Sequence, residues 1–346
     1  MARRWPTRAG PARRGRVAAR VATRWVRSLA LGAAAVVLRK VRPGLATEER
    51  LLRWSWAAHP ADSLDAYLVV GWQNPRINVQ SILIRHELIR RLFGDSEADR
   101  ELMHGEVAFA VELNEALRLE ARRTNTRVKA FFNPRRIARI RKLGEVIADR
   151  ETEYRDRWRA ELATRPAGRL QVLELACGSA NDYRAFAEYG LAPFLDYAGI
   201  DLNPKNIANA RRHFPDVRFE VGSAMDLARA DRSVDVVLAS DLLEHLPLEG
   251  VDRVIAEMSR VARSAVILSF FNMAEIPEHE DRPVAAYHWN RLSRAKVLAT
   301  LSTHFPRVTG YPINAWLKRE FDYPHTYNKR AFTMIAERDS SGSSPI

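Results

Sequence analysis

Histidine is the side chain whose unperturbed pKa lets it both take up and release a proton near neutral pH. His245 stands in the run Ser240-Asp241-Leu242-Leu243-Glu244-His245-Leu246-Pro247. The apolar stretch 234–239 ahead of it reads as a strand, which puts Asp241 at that strand's C-terminal end. In an open α/β sheet that edge is the crevice where ligands bind. His245 has two uses there: as a general base toward an acceptor hydroxyl, or as a structural histidine holding a loop. Further along, 272–291 reads as a long loop at the same edge, with His279, Tyr287, His288, Trp289 and Asn290. Loops so placed commonly carry substrate contacts, and His288 joins Asp241 and His245 as a catalytic candidate. The run Glu278-His279-Glu280-Asp281 lacks the spacing of a metal-ligand set and reads as solvated loop, so no metal site is expected.

What could position these groups is a strand, a turn of small residues and a helix start, read from Leu170-Gln171-Val172-Leu173-Glu174-Leu175-Ala176-Cys177-Gly178-Ser179-Ala180-Asn181. That order opens a nucleotide-binding α/β unit. Small residues let the backbone bend sharply and lie close to a ligand. A second strand, 196–200, is followed at once by Asp201, an acid able to accept two hydrogen bonds from a ribose diol or to cap the helix starting near Pro204. The run Val172 to Ala180 resembles the first motif of the class I S-adenosylmethionine (SAM)-dependent methyltransferases, and the Glu244-His245-Leu246 step resembles that of the small-molecule enzymes in that class. Ala176 and Ala180 stand where that family usually carries glycine. SAM has no pyrophosphate to cradle, so its loop needs close backbone approach but less of an anion nest. An NAD fingerprint would keep only Gly178 of its glycines.

The resemblance implies SAM as cofactor, with contacts from Glu174, Ala176, Gly178, Ala180, Asp201, Leu202, Met225, Asp226 and Ser240. Within that set Glu174 organises the loop and the methionine end, or else is a buried acid satisfied by loop amides. Asp226 reads the adenine amine, or is an ordinary loop acid, and Met225 lies along the adenine face or packs in the core. The expected fold is α/β: a seven-stranded Rossmann-like methyltransferase sheet with helices on both faces, preceded by an all-α N-terminal domain. Strand candidates are 170–175, 196–200, 217–221, 234–239, 264–270, 307–313 and 330–336, with helical runs around 181–189, 204–213, 248–262 and 293–303 between them. Such alternation implies parallel strands joined by right-handed crossovers.

The expected domains are a basic amphipathic arm over 1–45, a helical domain over 46–165, the methyltransferase domain over 166–338 and a disordered tail over 339–346. Within the second, periodicity predicts helices over 77–93, 97–122 and 134–162. The net charge of +13 is concentrated at the start of the chain, where residues 1–46 hold twelve Arg and Lys and no acid. The rest is nearly balanced, which argues against a broad nucleic-acid face, so no nucleic-acid partner is expected. Over 13–38 the arginines share one helical face and Val17, Val21, Trp25 and Leu29 the other. That pattern suits an anionic membrane surface, and its eleven most apolar residues, 28–38, are too few to span a bilayer. A transit peptide, an arm docked on its own domain and a nucleic-acid arm are the alternatives. The expected location is cytoplasmic and peripheral at the inner membrane face.

The single cysteine, Cys177, excludes an internal disulfide framework. Its place in the cofactor loop argues against a nucleophile attacking a pyrimidine, and no Asn/Asp-Pro-Pro-Tyr/Phe run is present to serve nucleic-acid amines. The function expected is therefore O-methylation of a small molecule, sugar or lipid-linked acceptor. A SAM-binding scaffold without turnover and an NAD-dependent oxidoreductase are the rivals. No residue pattern speaks to oligomeric state.

Overall fold

The computed structural model describes residues 78–122, 150–284, 287–324 and 328–338. The basic arm over 13–38, the start of the expected helical domain and the tail over 339–346 lie outside the described residues.

Among the described residues three helices come first: α1 (Val79–Phe93), α2 (Glu97–Arg122) and α3 (150–163). Helix α1 starts two residues later than the periodicity predicts, because the Asn78 side chain accepts a hydrogen bond from the Gln80 amide and caps the turn. Then strands and helices alternate: β1 (Leu170–Leu175), α4 (Asn181–Glu188), β2 (Leu195–Asp201), α5 (Pro204–His213), β3 (Arg218–Val221), β4 (Val234–Ser240), α6 (Leu248–Val261) and β5 (Ala262–Phe270). After the short strands β6 (Met273–Ala274), β7 (Pro283–Val284), β8 (Tyr287–His288) and β9 (Leu292–Ser293) come α7 (Arg294–Ser302), β10 (Arg307–Pro312), α8 (Ile313–Phe321) and β11 (Phe332–Glu337).

The main sheet has the order β10-β11-β5-β4-β1-β2-β3, seven strands as expected. Strands β1 to β5 run parallel, and β11 lies antiparallel between β5 and β10. Chain order reverses between β1 and β4, so the crevice at the C-terminal ends of those two strands is the topological switch point. The helix between β4 and β5 shows why the sequence takes this form. Val251, Val254, Ile255 and Met258 recur at helical spacing on one face and are fully buried against Val237, Val266 and Leu268. Each such side chain contributes about 1.5–3 kcal/mol of burial.

Residues 75–114 and 150–346 form one compact unit, so α1, most of α2 and α3 pack as part of the sheet's own unit. The other unit, 1–74 and 115–149, is described only at 115–122, the end of α2. Across the expected border at 164–168, Arg165 pairs with Asp99 of α2 at 2.7 Å. At one end of α1, Gln80 Nε2 donates to the carbonyls of Phe270 on β5 and Phe332 on β11. At its other end Arg90 and Arg91 pair with Glu337. Between them the buried Arg85 pairs with Glu106, which also accepts from Trp158 Nε1.

Two elements depart from the sequence expectation. Helix α8 stands where only a strand end was expected; Ile313, Trp316 and Leu317 bury its short apolar face. The stretch 272–291 is a folded hairpin region: β7 pairs with β8, and Glu280 bridges Arg291. Asn290, wholly buried, holds it by donating its backbone amide to the Glu244 carbonyl and its side-chain amide to the Leu246 carbonyl.

Candidate active site at the switch point

The loop after β1 is built on left-handed backbone. Ala176 (φ 55°), Gly178 (φ 56°) and Ala180 (φ 66°) all lie in that region. Glycine adopts it freely, whereas an L-residue with a Cβ is strained by about 1–2 kcal/mol. Cys177 between them donates its amide to the Ile200 carbonyl and accepts from Ala180 N, which closes the turn. Its thiol approaches β2 so closely that a Cβ on Gly199 would stand 2.8 Å from the sulfur. Burial, then the charges of Glu174 and Asp201, push that thiol upward, so it stays protonated and un-nucleophilic.

Asp201 ends β2, with one oxygen accepting from Gly178 N (2.9 Å) and the other from Asn203 N (2.8 Å) and Asn206 Nδ2 (3.2 Å). It thus ties the loop to the next turn, while Asn203, not Asp201, is the N-cap of α5. Oδ1 thus has both lone pairs engaged, and Oδ2 keeps capacity for one further donor. Leu202 beside it is 75% exposed, Val221 at the end of β3 is 52% exposed, and the Asp226 side chain is exposed. Met225 packs toward α6: its methyl occupies the space a Cβ on Gly250 would need, and its carbonyl accepts from Arg253. That contact favours its core role.

Glu174 is buried and accepts from the Tyr197 hydroxyl of β2 rather than from loop amides. Burial, then Asp182 and Asp201, raise its pKa well above the ordinary carboxylate range. Asp182, in the first turn of α4, is raised by burial against the opposing pull of Ser240 and Arg85. Neither Asp182 nor Tyr197 was singled out in the sequence; Asp182 had one available signal, an acid in the first turn of the helix after the loop.

At the end of β4 the structure brings Asp241 and His245 together and splits the roles of His288. His245 Nδ1 lies 2.9 Å from the His288 carbonyl oxygen, and Nε2 lies 3.3 Å from Asp241 Oδ1. The imidazole of His288 turns instead to Asp281 (2.8 Å), so its backbone serves the site. A carbonyl only accepts, hence His245 Nδ1 carries a proton and Nε2 is the exchangeable position. Burial lowers the His245 pKa, but Asp241, the His288 carbonyl and Glu244 outweigh it and raise the value overall. Asp241 is held at φ 53°, a third strained non-glycine position at the crevice after Ala176 and Ala180. Glu244 is fully buried, accepts from Phe271 N, and is pushed up to about 7 by burial and then by Asp241. The Tyr287 and Trp289 rings stand 5.6 and 5.0 Å from the His245 ring and remain 51% and 37% exposed. His279 Nδ1 accepts from Ser293 N, and Glu280 pairs with Arg282 and Arg291, so both brace the hairpin.

Residues 172–265 match the methyltransferase-domain family. This segment belongs to the class I SAM-dependent methyltransferases. A probable S-adenosylmethionine-dependent methyltransferase of Mycolicibacterium smegmatis is 30% identical over 148 residues, 41% of this chain and 53% of that protein. A ubiquinone biosynthesis O-methyltransferase of Azorhizobium caulinodans is 34% identical over 86 residues, 24% of this chain and 32% of its own. A SAM-dependent methyltransferase structure from Methanosarcina mazei is 14% identical, covers 51% of this chain and 96% of its own, and has a TM-score of 0.39. The chain spans about half or less of the length of these curated relatives. The family match sets the NAD reading aside.

The methyltransferase segment fits SAM on its own geometry. The bent loop brings bare backbone to the crevice at Gly178, where a Cβ would meet nothing within 4 Å. Exposed Leu202 and Val221 offer apolar surface beside the Asp226 acceptor. The acids Glu174 and Asp182, raised by burial, are suited to a ligand bearing sulfonium and ammonium charge. Among the described residues no helix is long and apolar enough to cross a membrane.

Proposed function

We propose that the chain transfers a methyl group from SAM to a hydroxyl of a small or lipid-linked acceptor, with His245 as the base. The observation that carries this reading is the held tautomer of His245, with Nδ1–H on the His288 carbonyl and Nε2 toward the crevice beside Asp241. The cofactor set is the one read from the sequence, Glu174, Ala176, Gly178, Ala180, Asp201, Leu202, Asp226 and Ser240, to which Asp182 is added; Met225 remains as core packing beneath it. SAM, when bound, would supply a methyl group activated on its sulfonium sulfur, the electron pair of the broken S–C bond returning to that sulfur. His245 Nε2 accepts the hydroxyl proton as the O–C bond forms, and Asp241 stabilises the imidazolium. The protein otherwise contributes alignment and exclusion of water. The relative named for O-methyl transfer supports oxygen as the acceptor atom.

A deletion strain's small-molecule extract, incubated with protein and methyl-labelled SAM, tests the reading. One product heavier by a methyl group, formed by wild type and not by His245→Asn, is the expected result. SAM bound with no labelled product from any fraction would favour a SAM-binding scaffold instead. For the basic face over 13–38, which lies outside the described residues, we propose docking on anionic lipid. Deleting residues 1–45 should abolish vesicle sedimentation while SAM affinity holds.

A further inference from the structure

A second cavity opens at the same edge of the sheet, over the ends of β5, β10 and β11, with a volume of about 310 Å³. Its walls include Arg294, Lys329 and Arg330 against one carboxylate, Glu275. The Arg294–Glu275 pair is exposed on both sides, so water competes with it and Arg294 remains available to a ligand. Lys329 is exposed. Asn314 and Ala315 line the wall from the first turn of α8, where amides have no carbonyl one turn back. That helix has no side-chain cap and no acid in its first turn. Asn314 Oδ1 is buried without a partner among the described residues. A half-turn of its amide would set a donor there in place of the orphaned acceptor.

We propose that this cavity binds a phosphoryl group carried by the methyl acceptor. Three cations facing one carboxylate leave a surplus that a phosphoryl group of charge about −2 matches and a single carboxylate does not. The volume of about 310 Å³ lies at the lower end of ligand pockets, which run from about 300 to 1,000 Å³, and is ample for a phosphoryl headgroup. Asn272, almost wholly buried, ties the cavity to the catalytic hairpin. Its Oδ1 accepts from Arg330 Nη1 (3.1 Å), and its Nδ2 donates to the Asn290 carbonyl (2.7 Å) next to Trp289. One acceptor can thus be held by its phosphoryl end while a hydroxyl reaches His245. This assignment rests on the methyltransferase reading for its purpose, but anion binding is measured separately.

Calorimetry of the full chain with glycerol 3-phosphate, and with malonate as a dicarboxylate, is the test. The expected result is one saturable glycerol 3-phosphate site, weakened about tenfold or more in the Lys329→Ala/Arg294→Ala double variant, the scale of losing charge-assisted hydrogen bonds. SAM affinity should stay unchanged in that variant, which also certifies its fold. No saturable binding, binding indifferent to the double substitution, or malonate bound as tightly as the phosphate would each overturn the proposal. Vesicles containing phosphatidic acid distinguish the source. A lipid acceptor predicts weaker vesicle binding by the double variant, and a soluble acceptor predicts equal binding. Failure to bind SAM would instead overturn the methyltransferase reading and leave the anion result standing.

Discussion

The two halves of the crevice are built on different principles. On the β1–β2 side, the groups facing the ligand are backbone and buried acids, fixed by contacts between β1 with its loop and the next strand of the chain, β2: Gly178 N on Asp201, Cys177 N on Ile200, Tyr197 on Glu174. On the β4–β5 side, apart from the contact of His245 with Asp241 four residues earlier, the orientations come from more distant sequence. His245 is set by His288, and the loop bearing His288 is pinned through Asn290 and Asn272 to Glu244, Leu246 and Arg330. The cofactor side is thus closed by neighbouring strands, whereas the side proposed to take the acceptor is held by a loop some forty residues further along the chain.

The sharpest way to break that contrast is His245→Asn, which keeps a donor for the His288 carbonyl and removes the base. Turnover should fall about a hundredfold or more, with SAM affinity held. A drop in melting temperature with turnover retained would make the histidine structural.

Next in size is Glu244. A buried acid whose folded pKa is raised binds its proton in the folded state more tightly than in the unfolded one. Stability therefore falls as pH rises from the ordinary carboxylate range to about 7, and His245, also raised, acts in the same direction. Glu244→Gln keeps an acceptor for Phe271 N and removes that proton. Between pH 5 and pH 8, denaturant titrations should show the wild type losing about 3 kcal/mol relative to the variant, an upper bound from the size of the shift. Parallel pH curves would remove Glu244 from the titrating cluster.

On the cofactor side, Asp201→Ala should weaken SAM binding by about 1.5–3 kcal/mol, the range for hydrogen bonds to a charged group. Unchanged affinity by calorimetry would reject the ribose assignment. The smallest effect is expected at Ala180. Replacement by Gly relieves left-handed strain but adds unfolded-state entropy, so stability should change by less than about 1 kcal/mol. A loss of several kcal/mol would mean that the methyl group's burial, not the backbone, sets the loop.

The sheet was legible because each of its strands is short and bounded by turn residues; all seven strand candidates lie within two residues of their observed limits, the largest offsets being the starts of 264–270 and 330–336. Asp201 and the loop after β1 were legible for the same reason, since their contacts are local. Glu174's partner was not, because Tyr197 meets it only through the pairing of Val172 with Tyr197 in neighbouring strands. The contact of the His288 carbonyl with His245 was not legible, because a backbone acceptor 43 residues away leaves no mark in side-chain type or spacing. Helix α8 is too short for periodicity to separate from a loop.

The ribosome meets a constraint in the strand order. β10 touches no strand of the main sheet except β11, which is made after it, and Gln80 waits for the carbonyl of Phe332, made 252 residues later. Until β11 emerges, β5 presents an open edge to anything nearby, and unpaired edges invite association between chains. The nascent protein is therefore most at risk late in synthesis, after the crevice strands have already formed, and a chaperone that shields β5 would raise the yield of the full chain while leaving the finished protein's stability unchanged.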